Sequence, residues 1–129
     1  MTYFLSKTVK NTTMDAVRSQ VTAALQKEGF GVLTEIDIQA TMKKKLNKDY
    51  LPHVILGACN PVYADKVLRM DSHMSTMLPC NVTLRQTDSG EVELATIDPA
   101  TAMNPVGDKN IEALAQEVRS KLQRVLDSI

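Results

Sequence analysis

The C-terminal segment 108–129 restricts the possible folds most, because its apolar residues recur every three or four positions. This spacing places them on one side of a helix and leaves the other side polar, so the segment predicts a long amphipathic helix. The apolar stripe consists of Ile111, Leu114, Ala115, Val118, Leu122, Val125, Leu126 and Ile129. Such a helix must cover an apolar surface that the rest of the chain supplies.

Residues 14–29 predict a second long helix, with apolar side chains at helical spacing and Gly29 at its end. Five segments alternate apolar and polar residues, or are continuously apolar, and predict strands. These strands are expected near 3–9, 30–38, 53–58, 80–85 and 92–96. The sequence Asp88-Ser89-Gly90 predicts a hairpin turn between the last two strands, which makes that part of the sheet antiparallel.

We therefore expect an α+β fold with two layers: a mainly antiparallel sheet of about five strands, and two long helices on one face. Short helices are expected around Met42 and Leu46 and after Asn60. Pro99 is expected to end the last strand, and 105–107 to form a loop. The length of 129 residues predicts a single domain over 1–129. An uncovered second sheet face would suit a partner, so we expect a homodimer.

The balance of charges argues against several classes of protein. Lys and Arg number 15, as do Asp and Glu, so the formal net charge is zero and no basic surface for nucleic acid is expected. No apolar run approaches the roughly 20 residues of a membrane span. Residues 1–7 lack the pattern of a secretory signal, so we expect cytoplasmic localisation with both cysteines reduced.

The two cysteines are the strongest candidates for chemistry, and each is followed by an Asn with a Pro nearby. Cys59 directly precedes Asn60 and Pro61, which predict the start of a helix. Unpaired N–H groups at a helix N-terminus stabilise a thiolate, so we expect the pKa of Cys59 to fall. The alternative is that Cys59 is a small buried apolar residue at a strand end.

Cys80 has the same strand parity as Val82 and Leu84, so it either belongs to the core or lies near Cys59 where two strand ends converge. A converging pair of thiols would form a redox dithiol or part of a site for a soft metal ion. The spacing of the two cysteines is not that of a CxxC motif. Cys59 and Cys80 are therefore candidate catalytic residues and weak candidate metal ligands, and the sequence leaves these alternatives open.

Other motifs give little indication of catalysis. The run Met70, His73, Met74 and Met77 offers soft ligands, but Met at helical spacing is typical of core filling, and Pro79 interrupts any helix there. His53 is a single histidine at a strand start, where a structural role is the more usual one. The chain has no phosphate-binding loop, dinucleotide fingerprint, HExxH motif or nucleophile elbow. The sequence therefore favours a protein that is not an enzyme, and implies no cofactor.

Both cysteine segments resemble the paired signatures of the bacterial and archaeal family called domain of unknown function 302. The resemblance rests on residues 55–61 and 78–82. Supporting similarities are Asp37-Ile38 with the following Lys43-Lys44-Lys45-Leu46, Ala64 and Leu68, Ile97-Asp98-Pro99, and the C-terminal helix. His73, Met74 and Met77 depart from the family pattern, which favours core filling over copper binding. His53 departs from it as well, which argues against a general role for this histidine.

The resemblance implies a TATA-binding-protein-like architecture, with two helices on a curved antiparallel sheet. It implies a small protein that forms dimers, and it implies no DNA binding, because fold alone does not fix function. Our leading hypothesis is a module that binds a small ligand or partner at Cys59, Asn60, Pro61, Cys80 and Asn81. The alternatives are a thiol-based redox or metal-binding protein that uses Cys59 and Cys80, and a purely structural dimeric interaction protein.

Overall fold

The computed structural model describes residues 2–129, and its centre is one antiparallel sheet. The strands are β1 (Phe4–Val9), β2 (Gly31–Asp37), β3 (His53–Cys59), β4 (Cys80–Gln86) and β5 (Val92–Ile97). They are ordered β1-β5-β4-β3-β2, and each neighbouring pair is antiparallel. The predicted five-stranded α+β fold is confirmed, and β1 and β2 form the two edges of the sheet.

Five α-helices connect or follow these strands. They are α1 (Met14–Lys27), α2 (Ile38–Leu46), α3 (Pro61–Met70), α4 (Pro99–Met103) and α5 (Lys109–Asp127). Two 3-10 turns complete the chain, at Ser72–Met77 and Asn104–Val106. Within residues 2–129, none of the helices combines the length and apolar character needed to cross a bilayer.

The long helices α1 and α5 cover one face of the sheet, as the sequence predicts. Alternate residues of the central strands face these helices and are buried, including Val82 and Leu84 in β4 and Val92 and Leu94 in β5. They pack in one core with the apolar sides of α1 and α5. From α1 the core takes Val17, Val21, Ala24 and Leu25, and from α5 Val118, Leu122, Val125 and Leu126.

A second, smaller apolar cluster lies under α3 and the first half of α5. It contains Val67, Met74, Met103, Ile111 and Ala115. These residues come from α3, the 3-10 turn at 72–77, α4 and α5, and none comes from the sheet. The second cluster therefore packs helix against helix, whereas the main core packs helix against sheet.

Helix α4 was not expected, because the sequence at Pro99 was interpreted as the end of a strand followed by loop. The helix forms because the Asp98 carboxylate accepts hydrogen bonds from the backbone N–H groups of Ala100 and Thr101, at 3.0 and 3.3 Å. Pro99 then occupies the first turn, where its missing N–H costs nothing. A second Asp carboxylate caps α2, where the Asp37 side chain accepts a hydrogen bond from the backbone N–H of Ala40. Strand β2 therefore ends at Asp37, one residue before the expected end at Ile38.

The second face of the sheet carries no helix over its centre. A groove of about 670 Å³ runs across it, bordered by side chains of β1, β3, β4 and β5 and by residues 76–79. Exposed apolar side chains occur at one end, including Phe4 and Met77. Towards the other end, Arg85 of β4 forms an ion pair with Glu93 of β5 at 3.0 Å.

The edge strand β2 is irregular, because its register shifts between Val32 and Thr34. The shift leaves Leu33 67 % exposed, and it pairs Thr34 with Gly57 of β3. The Thr34 side chain lies so close to Gly57 that a Cβ atom on Gly57 would collide with its hydroxyl oxygen. The same Cβ would lie 2.9 Å from a ring carbon of Pro79. Gly57 therefore allows two neighbouring segments to pack against β3.

We predict that Gly57→Ala lowers the free energy of unfolding by about 1–3 kcal/mol, the usual cost of forcing an extra carbon into a packed region. Urea denaturation measures this change. Gly31→Ala is the matched control, because a Cβ on Gly31 of β2 would meet no atom within 4 Å. Equal stability of the two variants would show that Thr34 and Pro79 move away without cost.

Candidate functional site

A small cavity lies where the main core meets the second cluster, next to the sheet end formed by Ala58 and Cys80. The space open to the centre of a water molecule is about 30 Å³. Its walls are mostly apolar and come from β3, β4, α3, α4, α5 and their flanking residues. They consist of Phe30, Ala58, Cys59, Asn60, Tyr63, Ala64, Val67, Leu78, Cys80, Pro99, Met103, Leu114, Ala115 and Val118.

The register of the sheet brings both cysteines to this cavity. Ala58 of β3 pairs with Cys80 of β4, so Cys59, the next residue along β3, lies beside the start of β4. Cys80 is 8 % exposed and belongs to the main core, whereas Cys59 is half-buried. Both cysteines are free thiols, and both contribute to the same cavity wall.

Burial shifts the acidity of the two thiols in the same direction. Loss of hydration raises the pKa of Cys59, so the decrease that the sequence predicts is wrong. Burial raises the pKa of Cys80 to about 11, and the nearby charge of an ionised Cys59 contributes in the same direction. Both groups are therefore neutral thiols at pH 7, and Cys59 is the one that ionises first.

The Asn60 side chain connects two helices. Its Oδ1 accepts a hydrogen bond from the N–H of Val62 at 3.2 Å, which caps α3. Its Nδ2 donates to the carbonyl of Glu28, at the end of α1, also at 3.2 Å. The side chain is buried, and it packs against Gly29, whose φ of 86° is accessible to glycine at little cost. Asn60 is therefore a structural part of the cavity wall.

The other two candidate residues lie outside the cavity. Pro61 is the first residue of α3 and is exposed to solvent. Asn81 is also exposed, pairs with Gly57, and borders the groove on the opposite face of the sheet. The structure thus brings Cys59, Asn60 and Cys80 together and separates Asn81 from them.

The methionine and histidine side chains between 70 and 77 diverge. Met74 is buried in the second cluster, whereas His73 is exposed and its Nδ1 lies 3.2 Å from Asp71 Oδ1. Helix α3 ends at Met70 and a 3-10 turn follows, so the four residues share no helix face. Across residues 2–129, no three His, Cys, Asp or Glu side chains are grouped closely enough to hold a metal ion.

His53 lies on the open face of the sheet, away from the cavity, where it pairs with Arg85 across β3 and β4. Partial burial and the charge of Arg85 lower the pKa of His53, although Glu93 opposes this effect. A neutral imidazole at pH 7 fits the structural role that the sequence favours for this residue.

The sequence did not indicate the part of the cavity wall that comes from helix packing. Tyr63 contributes from α3, Met103 from α4 and Leu114 from α5. The sequence signal for α4 is the pair Asp98-Pro99, in which a capping residue is followed by proline. The pair Asn60-Pro61 at the start of α3 has the same pattern. No comparable local signal places Tyr63, because its position depends on how α3 packs against α5.

Residues 5–129 match the family described as domain of unknown function DUF302. The chain is also similar to the crystal structure of an uncharacterised conserved DUF302 protein from Bacillus stearothermophilus. The two chains are 25 % identical and superpose with a TM-score of 0.92 over 99 % of this chain and 98 % of the other. No curated protein matches the chain. Because the match extends over nearly the whole sequence, this protein belongs to the DUF302 family.

Proposed function

We propose that this protein is a small binding module that accepts the apolar part of a small molecule in the cavity beside Cys59 and Cys80. The observation that carries the proposal is an apolar cavity between two core clusters, with some wall residues that also reach solvent. These half-exposed wall residues are Cys59, Tyr63, Ala64, Leu78 and Leu114. We take them as the border of the mouth through which a ligand enters. Concave, mostly apolar sites of this kind are typical ligand sites.

The size of the cavity limits the ligand. With about 30 Å³ open to the centre of a water molecule, the cavity holds only a small group. The buried portion is therefore a short alkyl group or the edge of a small ring. The rest of the ligand lies at the mouth, in contact with half-exposed side chains such as Tyr63.

Neutral thiols suit this role. A protonated cysteine behaves as a small apolar residue with a weak S–H donor, so Cys59 and Cys80 contribute apolar wall in this state. Buried cysteines with a raised pKa are inert in comparison with the low-pKa thiolates of catalytic sites. We infer a reducing, cytoplasmic environment, in which both residues remain thiols.

A second candidate function uses the sulfur atoms directly, and the contribution of both cysteine residues to one cavity wall favours it. Two thiolates suit a soft ion such as Cu(I), and two nearby thiols suit disulfide exchange. Against both uses, the charge of each thiolate is costly at this buried position. In addition, Cys59 and Cys80 have opposite strand parity, which is unfavourable for a disulfide unless the backbone moves.

We also infer that the open face of the sheet binds a second copy of the chain. Ala95 of β5 lies on this face, between Ser6 of β1 and Thr83 of β4, and apolar side chains of Phe4 and Ile97 lie nearby. The side chains at this end are apolar or small, and a second copy of the same face would bury them. The ligand cavity is on the other side of the sheet, so dimer formation leaves it open.

The ligand proposal predicts saturable binding of butan-1-ol, with NMR shift changes at cavity residues such as Ala58, Val67 and Val118. Ala64→Leu extends a side chain at the mouth and should weaken binding at least about fivefold, equivalent to about 1 kcal/mol. Ala113→Leu is the matched control, because Ala113 is exposed on α5 and outside the cavity wall. The proposal is wrong if the wild-type protein shows no saturable shifts, or if Ala64→Leu binds as well as the control.

The thiol interpretation predicts slow alkylation by iodoacetamide at pH 7. Cys59 should react more slowly than a free cysteine, and Cys80 more slowly still. With a pKa of about 11, about 1 % of Cys80 is thiolate even at pH 9. Rates are measured by mass spectrometry on Cys59→Ser and Cys80→Ser, so that each thiol is followed alone. Reaction of Cys59 faster than free cysteine at pH 7 would instead favour the nucleophile or metal-binding function.

The dimer inference predicts a mass of twice 14.2 kDa in light scattering at micromolar concentration. Ala95→Glu places a charge in the middle of the open face and should shift the protein to monomer, because burying an unpaired carboxylate is costly. Gln116→Glu adds the same charge on the exposed side of α5 and should leave the dimer intact. A monomeric wild-type protein would contradict the inference.

A further inference from the structure

Two lysine side chains lie near Tyr63, which is one of the residues of the cavity wall. Tyr63 lines the cavity and also reaches solvent. The Nζ atom of Lys66, one turn further along α3, lies 5.5 Å from the centre of the Tyr63 ring. The Nζ atom of Lys121, on α5, lies 5.9 Å from the same ring. Two ammonium groups from two helices are thus held beside one wall residue at the mouth.

These cations are only partly neutralised by neighbouring carboxylates. Glu28 is bound by Arg124, whose Nη2 lies 2.8 Å from the Glu28 Oε1 atom, and Lys121 lies 3.9 Å from the same oxygen. Glu117 of α5 is also near Tyr63: after loss of hydration, the charge of its carboxylate and a side-chain hydrogen bond to it raise the pKa of the Tyr63 hydroxyl, and the charge of Arg124 opposes this. Lys66 forms no ion pair within residues 2–129.

Several charged groups lie near Tyr63. Three cations, Lys66, Lys121 and Arg124, lie near two anions, Glu28 and Glu117. Because Lys121 and Arg124 both contact Glu28, the cation available to a ligand is Lys66. A ligand whose apolar end enters the cavity would place its polar end at this position.

We propose that the ligand of this site is a short-chain carboxylate, whose alkyl end fills the cavity and whose carboxylate binds Lys66 beside Tyr63. This inference rests on the proposed binding function and specifies its ligand class. The flexible stem of Lys66 allows its ammonium group to follow the carboxylate, while Tyr63 separates the charged end from the apolar interior. The contribution of charge is modest at a solvated mouth and decreases with added salt.

The test compares three four-carbon ligands, butanoate, butan-1-ol and butylammonium, by NMR titration of the wild-type protein at low salt. We expect butanoate to bind about two- to fivefold more tightly than butan-1-ol, and butylammonium to bind most weakly. Lys66→Gln should remove the advantage of butanoate and leave butan-1-ol binding unchanged. Lys44→Gln is the matched control, because Lys44 is exposed on α2, outside the cavity wall.

Glu117→Gln provides the opposite change, because it removes a negative charge near Tyr63. It should tighten butanoate binding about twofold and weaken butylammonium binding. If butan-1-ol binds and butanoate binds no better, or if Lys66→Gln leaves the order of the three ligands unchanged, the inference is overturned and the binding module stands. If none of the three ligands binds, the proposed function itself fails.

Discussion

The antiparallel pairing of β3 with β4 is the constraint on which the rest of the site depends. It places Ala58 opposite Cys80, at the point where the sheet ends and the chain turns into α3. Beyond this point the helices continue without a sheet to cover, so α3 and α4 pack against α5 and form the second cluster. The cavity lies where these two packing arrangements meet.

The same position explains the chemistry of the thiols. A cysteine before a capped helix is expected to be acidic, because the first N–H groups of the helix favour negative charge. Here one of those N–H groups is bonded to the Asn60 side chain, and the thiols are surrounded by apolar wall. Loss of hydration disfavours the charged thiolate at both positions and raises the pKa of each thiol.

Local patterns were sufficient to predict most elements of the fold, because alternation and helical spacing reflect which faces are buried. The same patterns carry two further signals, one for the faces of β4 and one for helix α4. Alternation along β4 places Asn81 and Cys80 on opposite faces, which already separates them into different surfaces. The capping pair Asp98-Pro99 indicates α4, as Asn60-Pro61 indicates α3. The cavity itself, and the position of Tyr63, depend on packing between α3 and α5, which no short segment encodes.

An apolar cavity is not in itself a binding site, since small gaps persist in proteins at little cost. At about 24 cal/mol per Å³, a gap of 30 Å³ destabilises the fold by less than about 1 kcal/mol. A gap that is enclosed on all sides has no opening to solvent and no charged side chain at an opening. Here the wall includes half-exposed residues, and Lys66, which lies beside the wall residue Tyr63, has no carboxylate partner within residues 2–129. Access and an available charge beside Tyr63 are the features on which the proposed binding function rests.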